Sequence, residues 1–216
     1  MAKTKAHTRY KNTDGKVVPG VTTILGNLGW NKNILVAWAK RTALAGDDPT
    51  KVMEHAGAIG SLAHYLCECH IKGDEPDTSD YTSEQIEKAQ NAFSGYLAWE
   101  EMVKPEYAAI EMKMVSEEFQ VGGTCDFVAR INGELVIGDF KTSKAVYDEH
   151  IAQLSAYRKM YLELQPKAKI ESGMILKLDK ETGAFSHNFI SKGQLEWGWK
   201  VFSACLELHK LNKARV

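Results

Sequence analysis

The chain has 216 residues, of which 44% are hydrophobic and 25% are charged, and its formal net charge is −1 at pH 7. This length and composition are typical of a globular domain that buries enough apolar surface to fold without disulfides or a structural metal. No apolar run approaches the ~20 residues that a membrane-spanning helix requires, so the sequence excludes a spanning protein.

The first hundred residues are predicted to contain a short extended segment followed by three helices. The extended segment covers residues 17–25 and is interrupted by a Pro-Gly pair. Helical composition predicts a helix at 34–44 and a second one at 57–70. The tetrapeptide Thr82-Ser83-Glu84-Gln85 is a capping box, which opens a third helix that continues to about residue 102.

The pattern changes to the period of two that is typical of β-strands after Pro105. Asn132-Gly133 is a strong signal for a tight hairpin turn. A second capping box, Ser191-x-x-Gln194, opens a terminal helix. Between these signals we predict three strands, one helix and two further strands, at residues 107–116, 119–131, 134–142, 148–164, 169–179 and 185–190.

This order of elements predicts an α/β (α+β) fold with a mixed central β-sheet flanked by helices. We treat residues 1–216 as one domain, because neither a repeat nor a long linker interrupts the chain. Residues 1–104 form its mainly helical part, and residues 105–216 form the sheet core that contains the predicted hairpin.

Cysteine spacing and charge distribution indicate a reducing location and a basic N-terminal region. The four cysteines lack the spacing of a zinc site or an iron–sulfur cluster, so we expect free thiols and no such cluster. We expect a cytoplasmic protein, since the N-terminal residues lack the apolar region of a secretory signal.

Residues 1–41 carry eight Lys or Arg against one Asp. This basic stretch is either a phosphate-binding footprint or a solvated chain end.

Two carboxylates and a lysine are expected to meet at the open end of the predicted hairpin. Side chains alternate across a strand, so Asp139 and Lys141 continue the inward face of Leu135 and Ile137. Asp126 lies on the neighbouring strand. Carboxylates that converge in one volume repel each other unless a cation or a proton intervenes, and hard oxygen ligands suit Mg²⁺ or Mn²⁺. The pattern is typical of metal-assisted phosphodiester hydrolysis, in which Lys141 orients the nucleophile or stabilises the transition state.

A structural Asp–Lys ion pair at a strand end is the alternative interpretation, and it is the commoner meaning of an isolated Asp-x-Lys. Three surrounding features favour the catalytic one. Gly122-Gly123 precedes Asp126, where the backbone must approach a neighbour closely. Gln153 and Tyr157 share one helix face, and Gly60 and His64 share another.

Five motifs in this order resemble the RecB-like branch of the PD-(D/E)XK nuclease superfamily: Gly60-Ser61-x-x-His64, Glu111, Gly-Gly-Thr-x-Asp126, Asp139-Phe-Lys141-Thr-Ser and Gln153-x-x-x-Tyr157. The segment from Pro19 to Leu25, with Trp38, is similar to the start of phage-encoded exonucleases and of the mitochondrial genome maintenance exonuclease. Three departures stand out. The second acid, Asp139, is Asp and not Glu. Cys125 occupies the position of the family's proline, and the cysteine cluster of the CRISPR-associated relatives is missing.

The resemblance implies a restriction-endonuclease-like core with an N-terminal helical elaboration, and it implies a role for each motif residue. Asp126, Asp139, the Phe140 carbonyl and His64 would hold one or two Mg²⁺ or Mn²⁺ ions, and Lys141 would be the catalytic lysine. Gln153 and Tyr157 would act near the active site and the DNA strand. The residues implied to contact DNA phosphates are Ser61, Thr142 and Ser143. Glu111 is either a further metal ligand or part of an exposed edge pair.

The function that follows is a Mg²⁺- or Mn²⁺-dependent DNA exonuclease. Its partner would be DNA with a free end, held in part by the basic residues 3–41. Recombination, repair or phage DNA processing would be its setting, with a recombination or single-strand-binding protein as a further partner. A structure-selective or nicking endonuclease on the same site is the alternative, and a non-catalytic DNA-binding recombination partner is a third interpretation.

Overall fold

The computed structural model describes residues 9–214, so the basic residues Lys3 and Lys5 lie outside the described part of the chain. The elements follow in this order: β1 Tyr10–Lys11, β2 Val17–Val18, α1 Val21–Leu25, α2 Lys32–Leu44, α3 Pro49–Lys72, α4 Ser83–Val103, β3 Glu106–Ser116, β4 Val121–Ile131, β5 Glu134–Lys141, α5 Asp148–Leu164, β6 Ser172–Leu178, β7 Phe185–Ile190 and α6 Lys192–Lys213.

The central sheet has five strands in the order β3-β4-β5-β6-β7. β3, β4 and β5 are antiparallel neighbours, β6 runs parallel to β5, and β7 is antiparallel to β6. The sheet is therefore mixed, as predicted. The parallel pair needs a crossover connection, which α5 provides, and this places α5 directly after the end of β5.

Helices cover both faces of the sheet and divide the core into two clusters. On one face, α1, α5 and α6 pack against β4 and β5, with Ile137, Leu154 and Phe202 fully buried. On the other face, α3 and α4 build a cluster that is rich in aromatic rings, including Trp99 and Phe127. The strands β4, β5 and β6 are accordingly buried at most positions along their length, which is the near-continuous pattern expected of a sheet that is covered on both faces.

Several element boundaries differ from the sequence predictions. The predicted extended segment 17–25 is wrong beyond Val18, because Val21–Leu25 form the helix α1 after the extended residue Gly20. α3 begins at Pro49 rather than at residue 57, because the Asp48 side chain caps it by accepting from the Thr50 N–H and proline fits the first helical position. β4 begins at Val121 rather than at residue 119, since Gln120 has φ 56° in the preceding turn. β6 begins at Ser172 rather than at residue 169.

α2 differs from the other long helices because all of its residues keep partial or full solvent exposure. It is joined to the sheet region through α1, whose Val21 and Ile24 are buried in the core. Among the helices within residues 9–214, none is long and apolar enough to cross a membrane.

Candidate active site

The candidate site lies where the pairing of β4 with β5 ends. The last paired residues are Phe127 and Gly138, whereas β4 continues its pairing with β3 and β5 continues with β6 as far as Lys141. Gly138 is required here, because a Cβ at this position would lie 1.9 Å from the Phe127 ring. Asp126 and Asp139 each stand immediately beyond this last pair, so the two strands separate around them.

At this opening, the Asp126 side chain accepts a hydrogen bond from a backbone N–H of β5. Its Oδ2 accepts from the Phe140 N–H at 2.6 Å and lies 3.3 Å from Nδ1 of His64 on α3. The carboxylate is buried. Burial alone would raise the pKa of Asp126, but the effects of His64, Lys141 and the Phe140 N–H together are larger and lower it. Asp126 is therefore ionised at neutral pH.

Asp139 and Lys141 form an ion pair that continues into α5. The Lys141 ammonium contacts the Asp139 carboxylate and also donates to Gln153 Oε1 at 3.1 Å. Gln153 Nε2 in turn donates to the Tyr157 hydroxyl at 2.8 Å. The spacing of four residues on α5 places Gln153 and Tyr157 side by side, as the sequence predicts. Lys141 is therefore held from two sides with its head group at the edge of the opening.

The two carboxylates have different protonation properties. Burial raises the pKa of Asp139 to about 6, the nearby Asp126 charge adds to this shift, and Lys141 opposes it. Burial would lower the pKa of His64, but the charge and hydrogen bond of Asp126 outweigh it and raise the pKa. Burial also raises the pKa of Tyr157 well above its ordinary value, so this hydroxyl stays protonated.

A group of metal-ligating side chains lies on the α3 side of the opening. Donor atoms of His64, Glu111 and Asp126 all lie within 4.8 Å of one another. Glu111 has φ 47°, a left-handed conformation that is uncommon for a residue with a side chain. Two carboxylates and an imidazole fit a divalent cation such as Mn²⁺ or Mg²⁺. This trio contains Glu111, whereas Asp139 is engaged with Lys141.

The other predicted site residues are placed as follows. Gly60 makes room for Thr142, whose Oγ1 would lie 3.0 Å from a Cβ at that position. The Ser143 hydroxyl donates to the Ala145 carbonyl at 2.8 Å, and Ser61 is exposed on α3. The Phe140 ring meets the His64 ring edge-on at a centroid distance of 5.8 Å.

Sequence reasoning missed several side chains near the site. The Tyr10 ring covers Gly122, and its hydroxyl lies 3.0 Å from Thr124 Oγ1. Asn31 Nδ2 donates to Glu149 Oε2 at 2.8 Å beside Gln153. The spacing of Glu149, one helical turn before Gln153, is a signal that could have found it. Tyr10 and Asn31 reach the site only through long-range contacts.

Three comparisons with known proteins gave different results. A family model described as the PD-(D/E)XK nuclease superfamily matches residues 38–194, which is most of the chain. No curated protein matches the sequence. Among solved structures, the chain is similar to one described as "Crystal structure of SSO0001", at 12% identity and a TM-score of 0.34, over 69% of this chain and 74% of that chain. A TM-score this low supports no conclusion about the present protein.

Proposed function

The chain belongs to the PD-(D/E)XK nuclease superfamily, and on that premise we propose that it is a divalent-metal-dependent exonuclease acting on DNA. The superfamily consists of nucleases that use divalent metals. One observation carries the proposal for this chain. Where β4 and β5 separate, a buried pair of carboxylates, a histidine and a doubly held lysine surround the same opening.

His64, Glu111 and Asp126 are the residues that would hold a divalent cation on the α3 side of the opening. When bound, such a cation supplies a Lewis acid that neutralises phosphate charge and lowers the pKa of water. Asp139 remains a predicted ligand, with the Phe140 carbonyl beside it. The left-handed backbone of Glu111 is the kind of strain that persists at functional sites.

Lys141 is the proposed catalytic lysine. Its ammonium is positioned by Asp139 and Gln153, so it is preorganised to donate to a phosphate oxygen or to orient the attacking water. Gln153 fixes the direction of this ammonium, and the Tyr157 hydroxyl supports Gln153. The burial of Asp139 and Tyr157 reduces solvent screening, which strengthens these interactions.

The exonuclease assignment and the biological setting rest on the resemblance described above, which is to end-processing enzymes. We place the activity in recombination, repair or phage DNA processing for the same reason. A nicking or structure-selective endonuclease would use the same residues, and covalently closed circular DNA separates the two activities because it offers no end.

The test compares wild type with Lys141→Ala and Lys177→Ala on end-labelled linear DNA and on covalently closed circles. Lys177 is the matched control, because it is the residue of the adjacent strand β6 that lies opposite Lys141 in the β-sheet register. With Mg²⁺ or Mn²⁺ we expect wild type and Lys177→Ala to shorten linear DNA and to leave circles intact. Lys141→Ala should lose about a hundredfold or more in rate, and a chelator should abolish cleavage.

Each contrary result has a distinct meaning. Linear single- and double-stranded DNA that stays intact with both metals contradicts the nuclease proposal. Cleavage of closed circles replaces the exonuclease with the endonuclease. Equal rates for Lys141→Ala and Lys177→Ala remove Lys141 from the mechanism.

A further inference from the structure

A cavity of about 420 Å³ lies between α1, the start of α2 and the first turns of α5. Its volume falls within the range of roughly 300–1,000 Å³ that is typical of small-molecule binding pockets. Gln153 is among the residues that line it. Because Gln153 Oε1 accepts from Lys141 Nζ at 3.1 Å, the cavity begins one side chain away from the candidate catalytic lysine.

The walls of this cavity differ in polarity. Leu25, Leu28 and Leu35 line it with apolar surface, and Leu35 is 50% exposed. Asn31 and Glu149 line it with polar groups and are hydrogen-bonded to each other at 2.8 Å. An apolar surface with a few fixed polar groups is the usual composition of a site that binds a small, partly polar ligand.

His150 adds a ring nitrogen to the polar wall. Its Nδ1 accepts from the Tyr147 N–H at 3.3 Å, which leaves Nε2 to carry the ring proton. Burial lowers the pKa of His150 to about 4, and the Lys141 charge adds to this effect, so the ring is neutral at physiological pH. The cavity therefore offers a neutral donor together with an amide and a carboxylate, which are groups that recognise the hydrogen-bonding edge of a nucleobase.

We propose that this cavity receives the base of one unpaired nucleotide next to the phosphate that is cleaved. The inference rests on the proposed function, because it needs a phosphate at Lys141. The leucines would contact the face of the base, and Asn31, Glu149 and His150 would meet its edge. A base in a duplex is stacked and paired and must leave the helix to enter, which costs least for single-stranded DNA. The favoured substrate class is thus a single strand or a frayed end.

The test measures binding of the full chain to single-stranded oligonucleotides in a metal chelator, so that it does not depend on cleavage. The strands are identical except for one abasic residue, which is moved along the sequence. Loss of the base should raise Kd by about tenfold at one or two adjacent positions. In Mn²⁺, cleavage of the same strands should slow at the same positions.

Thr22→Glu and Thr23→Glu are the matched variants, because both threonines are exposed on α1 and only Thr22 is among the residues lining the cavity. Thr22→Glu should abolish the difference between intact and abasic strands, and Thr23→Glu should retain it. Equal Kd values at every position, or no binding of any strand, overturn the inference. If the position-dependent binding is found without any cleavage, the base site stands and the nuclease function fails.

Discussion

The two ends of the β4–β5 hairpin are formed by the same strands but are stabilised by different interactions. At the turn end, backbone pairing continues to Ile131 and Glu134, and Asn132 and Gly133 adopt the positive φ values that a tight turn needs. At the open end, pairing stops at Phe127 and Gly138, and a carboxylate accepts the next backbone N–H instead. A buried carboxylate is stabilised where it replaces a backbone acceptor of the β-ladder, because the free N–H then donates to it.

The largest expected effect is on catalysis at the open end. Asp126→Asn keeps an oxygen that can accept from the Phe140 N–H, but it removes the charge beside His64. We expect kcat to fall by about a hundredfold or more. Glu134→Gln makes the same chemical change at the exposed turn end and should leave kcat unchanged. Wild-type activity in Asp126→Asn would show that the open end is merely structural.

The next effect is on stability, and it differs between the glycines at the open end and the turn end of the hairpin. Gly138→Ala forces a Cβ into the Phe127 ring, which is packed against Phe140, so overpacking should lower the free energy of unfolding by about 3 kcal/mol. Gly133→Ala meets no atom within 4 Å and costs only the left-handed backbone strain, about 1–2 kcal/mol. Denaturant unfolding measures both. A larger loss for Gly133→Ala would contradict this account of the opening.

In the metal-free protein, ionisation of the two carboxylates at the open end should change the free energy of unfolding in opposite directions. The pKa of Asp139 is raised from 3.8 to about 6, so the native state holds its proton more tightly, and stability decreases as pH rises through this range. Asp139→Asn should therefore stabilise the protein near neutral pH, by at most about 3 kcal/mol, and the gain should vanish at about pH 4.

Asp126→Asn is the control for that measurement. The pKa of Asp126 is lowered, so its ionised form stabilises the native state, and its contribution is lost as pH falls through the folded pKa. Near neutral pH, the substitution should destabilise the protein that is kept metal-free by a chelator. Urea unfolding at a series of pH values gives both curves, and the same sign for both variants would contradict the assignment of charges.

The smallest expected effect concerns Gln153, which positions Lys141 without being part of the ion pair. Gln153→Ala removes the acceptor at 3.1 Å from Lys141 Nζ and should lower kcat by about tenfold, equivalent to about 1.4 kcal/mol. Gln165→Ala, at the exposed end of the same helix, is the control and should leave kcat unchanged. Equal kcat values for the two variants would mean that Asp139 alone orients the lysine.

The sequence allowed much of the fold to be predicted because its signals are local. The capping boxes at Thr82 and Ser191 are both formed, and the hairpin turn is at Asn132-Gly133. The start of α3 is also encoded locally, in the capping residue Asp48 and in Pro49 at the first helical position. For the site, alternation and helical spacing were sufficient to bring Asp139 beside Lys141 and Gln153 beside Tyr157. The catalytic roles of these residues stay predictions.

The order and type of the main elements and the set of residues at the hairpin end follow from local sequence signals, since turns, caps and alternation depend on neighbours along the chain. Packing of distant elements sets where the β-ladder stops, brings Glu111 to His64 and Asp126, and brings Asn31 to Glu149 beside Gln153. These contacts join residues that are far apart in the sequence. They depend on how helices pack on both faces of the sheet, which no local pattern specifies.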